Sequence, residues 1–271
     1  MPATSSYTVE DYDSLLVALQ DVYGIVVPEE QRGMMVQRLV PMLPELQLDT
    51  LNDLARCLSA RDNQQVSDRV LSSLSHYSTR WHLNSELRSL LRDYVFEQQA
   101  DGARMWVVGC GKGELAWSVA MELDDYEHQN DDTTDISIVA SDSLAEDIEK
   151  AGSANYNEME LDSLGEGFRQ LYFAPADNGN GFMVKNRIRD RVEFSQCDLM
   201  KGCQQLGQFD VILCPQVLAY LSNGVRAAAL QAFAGMLKPG GILIVGSQQN
   251  VPPGIGLERV NHPAGVFYRL H

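Results

Sequence analysis

Lysine is absent from the first hundred residues of this chain, and across all 271 residues 21 basic side chains face 37 acidic ones, for a formal net charge of -16. That scarcity argues against nucleic acid as a partner, because a phosphate backbone demands clustered Lys and Arg to displace its counterions. No apolar run is long enough to span a bilayer, and the opening MPATSSYTVEDYD lacks the basic stretch and apolar core of a secretory signal. The cysteines Cys57, Cys110, Cys197, Cys203 and Cys214 are odd in number and contain no CxxC pair. They are expected to be reduced thiols, mostly filling the core of a soluble cytoplasmic protein. Metal ligands are also scarce: His128 stands in the acidic stretch DDYEHQNDDTTD with no second histidine near it, so a solvated loop is expected there and no metal.

What the chain does have is organised around Met105–Glu114, MWVVGCGKGE. Four residues of apolar strand run into a turn with glycine at Gly109, Gly111 and Gly113. Alternate glycines permit a sharp turn and a close backbone approach to a ligand, and the helix that follows presents unpaired amides. A dinucleotide fingerprint G-x-G-x-x-G counted from Gly109 would need glycine where Glu114 stands, which argues against a pyrophosphate. A carboxylate there suits a cofactor with a cationic amino group, as S-adenosylmethionine has. The next apolar strand ends at Asp142, placed to accept the hydroxyls of a ribose. A third ends near Asp198, and a fourth at Cys214-Pro215-Gln216.

The first hundred residues carry helical periods only. Thr8 is expected to cap a helix bearing Leu15, Leu16 and Leu19, ended by Gly24; a second helix is expected over Pro28–Leu43. Thr50 with Asp53 resembles a capping box, and Asn84 an N-cap. Beyond about residue 98 strands and helices alternate, which predicts a doubly wound α/β sheet. The stretch FMVKNRIRDRVEF is expected to form short charged strands. The expected organisation is therefore an all-helical domain over 1–97, followed by a Rossmann-like S-adenosylmethionine-binding domain over 104–271. The latter includes a small antiparallel β-subdomain at about 174–191.

Over nearly its whole length the sequence resembles the CheR family of chemotaxis receptor glutamate methyltransferases. The resemblance rests on LSSLSHYSTRW, GCGKGELAWSVAM, ASDSLAEDIEKAGSANYNEMELDSL, RQLYF, FDVILCPQVLAYLS and LKPGGILIVGSQQN, in order and in spacing. It implies methyl transfer from S-adenosylmethionine to a glutamate of a chemoreceptor cytoplasmic domain, leaving S-adenosylhomocysteine. Position by position it implies that Arg80 reaches the cofactor from the helical domain and that Glu114 lies near its amino group. Asp142 then falls on the ribose ligand, Asp198 and Leu199 on the adenine pair, and Tyr220 near the transferred methyl. Gly109, Gly111 and Gly113 form the turn, with His76 and Gln216 as further cofactor contacts.

The departures are also specific. Leu74 and His76 replace an Asn and a Thr, Leu115 an acidic residue, and Pro215-Gln216 an Arg-Asn pair. The second helix keeps only Arg32 and Arg38 of a basic row that would meet an acidic receptor. Two other outcomes stay open on the residues: a catalytically silent relative that binds cofactor or partner, and a small-molecule methyltransferase with Trp81 and His82 as pocket walls.

Overall fold

The computed structural model describes residues 9–61, 63–75, 81, 83–99, 102–130, 134–176 and 179–271. Two units divide the packing: residues up to 77 with Ala219–Arg226, and Ser78–Leu218 with Ala227–His271. The expected boundary near residue 98 thus differs from the division by packing. The helical stretch 85–98 packs with the α/β unit because Leu87, Leu90, Leu91, Val95 and Phe96 share a core cluster with the strand residues Met105 and Val107.

The first unit is built on α1 (Val9–Tyr23), α2 (Glu29–Leu39), α3 (Leu51–Ala60) and α4 (Gln64–Ser75). Leu15, Leu19, Met35, Leu39, Leu51, Leu54, Leu58 and Val70 meet in its core. The capping box forms as expected: the Thr50 hydroxyl accepts from the Asp53 N–H, and the Asp53 carboxylate accepts from the Thr50 N–H. The second helix is shorter than expected. It ends at Leu39 and passes into a 3₁₀ turn over Val40–Met42. Pro41 supplies the reason, since it has no N–H to continue the ladder. Segment 219–226 joins this unit through backbone bonds from the Val26 N–H to the Tyr220 carbonyl (2.8 Å) and from the Ser222 N–H to the Gly24 carbonyl (2.7 Å).

In the second unit, α5 (Ser85–Leu90) is capped by the Asn84 side chain and runs through a π-turn (Leu91–Val95) into α6 (Phe96–Gln98). Then come β1 (Ala103–Val108), α7 (Glu114–Asn130), β2 (Ile136–Asp142), α8 (Ala145–Ser153), β3 (Asn155–Tyr156), α9 (Glu166–Tyr172), β4 (Phe173–Pro175) and β5 (Phe182–Val184). The chain closes with α10 (Asn186–Arg189), β6 (Val192–Gln196), β7 (Phe209–Cys214), α11 (Asn223–Met236), β8 (Leu237–Val245), β9 (Leu257–His262) and β10 (Gly265–Leu270). The main sheet has the order β6-β2-β1-β7-β8-β10-β9. Its first five strands are parallel and β10 and β9 antiparallel. Strand order reverses at β1, and the crevice outside the C-terminal ends of strands at such a point is where α/β sheets take ligands. A separate antiparallel sheet, β3-β5-β4, forms the small subdomain and recruits β3 from before the expected 174–191 span.

Three sequence expectations are corrected. The acidic stretch after Leu123 is helix, not loop, as far as Asn130, where α7 ends. Buried Asp124 faces Arg187 (3.4 Å), and Glu127 accepts both guanidinium nitrogens of Arg191 (3.0 and 2.6 Å). Ion pairing at a buried face compensates charge that local sequence assigns to solvent. FMVKNRIRDRVEF is β5, one helical turn α10 with Ile188 inward, and β6, rather than strands throughout. Cys197 and Cys203 are not free thiols. They form a disulfide with Cα atoms 5.8 Å apart, while Cys57, Cys110 and Cys214 take no part in one.

Candidate functional site

Strand β1 is apolar on both faces because it is central, and its register is locked at two points. The Trp106 indole N–H donates to the Ser141 hydroxyl (2.9 Å), and the Arg104 N–H donates to Asp210 (2.8 Å). At its C-terminal end the chain turns at Gly109 (φ +69), Gly111 and Gly113 (φ +96). Positive φ favours glycine, and space enforces it twice. A Cβ on Gly109 would lie 2.1 Å from Val217 Cγ2, and one on Gly113 would crowd Trp117 Nε1 (2.9 Å) and the Tyr156 hydroxyl (3.0 Å). The amides of Gly109 and Cys110 both donate to the Ser141 carbonyl (2.8 and 3.0 Å), which ties the turn to the end of β2.

Two carboxylates converge on this turn. Asp142 Oδ2 accepts the Gly111 N–H (2.9 Å), while its Oδ1 faces the Leu144 N–H (3.4 Å). Burial pushes its carboxyl above the usual range against those bonds. Glu114, at the first turn of α7, is pushed up to about 7, again chiefly by burial. Its Oε2 is buried and, among the described residues, has no hydrogen-bond partner. A buried carboxylate oxygen with nothing to accept from is expensive unless a ligand brings the donor. The ammonium of an amino-acid moiety supplies both proton donors and the missing charge, so this donor set fits S-adenosylmethionine. Burial, with the same two carboxylates added to it, holds the Cys110 thiol well above its ordinary value, which leaves it unreactive.

The other strand ends are tied in. The Cys197 N–H donates to the Asp142 carbonyl (2.8 Å), bringing Asp198 and Leu199 beside Asp142. Asp198 Oδ1 accepts the Met200 N–H (2.9 Å), and its Oδ2 lies 3.3 Å from Lys201 Nζ. Gln216 and Pro215 follow β7, and their neighbour Val217 packs on Gly109.

Of the residues singled out in the sequence, the structure therefore brings Gly109, Gly111, Gly113, Glu114, Asp142, Asp198, Leu199 and Gln216 to one end of the sheet. His76 and Arg80 lie outside the described residues, as does His82. Tyr220 belongs to the helical unit, where its hydroxyl accepts from Gln31 Nε2 (3.3 Å). Leu74 is buried in that unit's core, and Leu115 in the core of the α/β unit. Trp81 is no pocket wall. It is 4% exposed, stacks edge-on to Tyr156 and Phe173, and donates to the Glu160 carbonyl (2.7 Å). His128 is likewise committed locally, its Nδ1 2.6 Å from the Asp124 carbonyl. Among the described residues no His, Cys, Asp and Glu are grouped to hold a metal ion.

Tyr156 is a site residue that sequence reasoning missed. Its hydroxyl accepts from Trp117 Nε1 (2.9 Å) and donates to the Lys112 carbonyl (2.5 Å), so the small β-subdomain buttresses the glycine turn from beneath. The signal available was the aromatic closing the stretch AGSANY after α8.

Residues 77–261 match the family model described as CheR methyltransferase, SAM binding domain. The chain is 26% identical over 247 residues to chemotaxis protein methyltransferase Cher2 of Pseudomonas putida, covering 88% of this chain and 90% of the relative. It is also 26% identical over 273 residues to chemotaxis protein methyltransferase 1 of Vibrio cholerae, covering 96% and 97%. Among solved structures it overlays on the N-methyltransferase NodS of Bradyrhizobium japonicum in complex with S-adenosyl-L-homocysteine. That overlay has 15% identity and a TM-score of 0.39, and covers 68% of this chain and 83% of that one.

Proposed function

The chain belongs to the CheR methyltransferase family, with S-adenosylmethionine as its cofactor, and from that premise we propose that it methylates glutamate side chains of a chemoreceptor-like protein. Glu114 Oε2, buried just after the glycine turn and without a hydrogen-bond partner among the described residues, is the observation that carries the proposal, since it asks for the cationic end of this cofactor. Chemotaxis methyltransferases among the relatives support a protein acceptor.

When bound, the cofactor supplies a methyl group already activated on a sulfonium. An acceptor carboxylate is itself nucleophilic, so this chain's residues need only align it and exclude water. Glu114 and Asp142 would hold the amino-acid and ribose ends, and Asp198 with Leu199 would take the adenine. Arg80 and Tyr220 act in positioning the acceptor and transfer no proton. For Tyr220 this is supported by the Gln31 amide, which donates to the phenol oxygen and holds the hydroxyl in place.

A second role is supported by Leu74 and Pro215. Leu74 is committed to the helical core and has no polar group, and proline at 215 lacks both an N–H and a charge. These losses favour a relative that binds cofactor or partner without turnover. Two assays separate the roles: calorimetric titration with S-adenosylhomocysteine, and transfer of labelled methyl to a chemoreceptor cytoplasmic fragment. Micromolar binding with transfer supports the enzyme, and binding without transfer supports the silent relative. Absence of binding by folded protein overturns the enzyme and leaves the relative that binds a partner through the same scaffold.

A further inference from the structure

Between the ends of β6 and β7, the loop that carries Asp198 and Leu199 is closed by the Cys197–Cys203 disulfide. The closure is local. The Asp198 carbonyl accepts from the N–H groups of Lys201 (2.9 Å) and Gly202 (3.0 Å), and Asp198 Oδ1 accepts from Met200. This folds the five intervening residues into a turn that brings the two cysteines face to face. Their Cα separation lies within the range a disulfide accepts without backbone movement. Both cysteines are buried, whereas Met200 and Lys201 between them are exposed, so opening this one turn suffices to give a reagent access. The ring is also joined to the ribose carboxylate, because the Cys197 N–H donates to the Asp142 carbonyl.

We propose that Cys197 and Cys203 are a thiol–disulfide modification site that sets cofactor affinity, the oxidised ring binding S-adenosylmethionine and S-adenosylhomocysteine more tightly than the open dithiol. The inference rests on the placement of Asp198 and Leu199 at the adenine. The oxidant is a small-molecule disulfide such as oxidised glutathione. One cysteine thiolate attacks it, forming a mixed disulfide and releasing one small thiol. The second cysteine then displaces the other, so two protein thiols are oxidised, one disulfide is reduced, and the protein's two protons leave on the released thiols. A closed ring loses less loop freedom when the adenine docks, which is the source of the gain in affinity. By reciprocity, bound cofactor makes the ring harder to reduce by the same factor.

The test uses the full chain in glutathione buffers of graded ratio, quenched by alkylation and digested with trypsin. Cleavage after Lys201 separates the two cysteines, so peptides 192–201 and 202–226 stay linked only through a disulfide. Affinity for S-adenosylhomocysteine is then measured by calorimetry on the oxidised and the reduced protein. The expected result is a linked peptide, affinity at least threefold tighter in the oxidised form, and a matching rise in the linked fraction when S-adenosylhomocysteine is added to the glutathione buffer. Cys203→Ser is expected to bind at the reduced protein's strength in both buffers, with Cys197→Ser as a second variant. No linked peptide at any ratio, or a gain below threefold, overturns the proposal on wild-type protein alone. Absence of binding in both forms overturns it together with the assignment of the cofactor site, an outcome distinct from a linked peptide that leaves affinity unchanged.

Discussion

Replacing Glu114 by glutamine gives two effects of opposite sign that share one cause. In the folded chain the carboxyl sits at about 7 against an ordinary 4.5, mainly because burial penalises its charge. A carboxyl raised in the fold keeps its proton longer than in the unfolded chain. Its contribution to stability is therefore fully present below pH 4.5 and is lost as pH rises through 7. The difference corresponds to about 3 kcal/mol, and the partial exposure of the residue trims this to about 2 kcal/mol. Glu114→Gln is uncharged throughout, so without cofactor the variant should melt with wild type near pH 4 and several degrees above it at pH 8. Cofactor binding should respond in reverse, because the ligand's ammonium requires the carboxylate. Wild-type affinity for S-adenosylhomocysteine should weaken about tenfold from pH 8 to pH 6, with proton release visible as a buffer-dependent heat. The variant should bind more weakly and with a flat profile over that range. A wild-type dissociation constant unchanged between pH 6 and 8, or the same slope in the variant, would refute the assignment of Glu114 to the ammonium.

Three further outcomes follow from the same geometry. Gly109→Ala places a methyl 2.1 Å from Val217 at a positive φ; it should cost about 1–3 kcal/mol in denaturant unfolding and abolish calorimetric binding of S-adenosylhomocysteine. Tyr156→Phe strands the Trp117 N–H and the Lys112 carbonyl, so a loss of about 1–3 kcal/mol should accompany weaker cofactor binding; binding at wild-type strength would show that the buttress is dispensable. Glu127→Ala leaves Arg191 without its partner carboxylate, which should lower stability by about 3 kcal/mol in denaturant unfolding, while affinity for S-adenosylhomocysteine measured on folded protein stays at wild type.

The glycine turn, the Thr50 and Asn84 caps and the central strands could be found in the sequence because each is decided within a few residues, by conformational freedom, capping geometry or unbroken apolarity. The features that could not be found depend on partners distant along the chain. The acidic end of α7 looks like a loop until Arg187 and Arg191 arrive from more than fifty residues away to neutralise its buried face. Cys197 and Cys203 are chemically indistinguishable from free thiols until the turn between them is seen. Tyr156 reads as one more aromatic at a strand until its hydroxyl is found beneath the glycine turn. Of the candidate site, the parts carried on strand ends were legible, whereas Tyr220 was placed by resemblance alone and packs within the helical unit.

The backbone pairing of Gly24 and Val26 with Tyr220 and Ser222 makes the helical unit discontinuous in sequence. A fragment ending at residue 77 would lack the segment that receives those bonds, and a chimera exchanging only the first 77 residues between relatives would join one parent's Gly24–Val26 edge to another's 219–226 return. The unit is inherited as two pieces, so recombination that preserves it must carry the pair together, and substitutions on either piece are constrained by the other across nearly two hundred residues of chain.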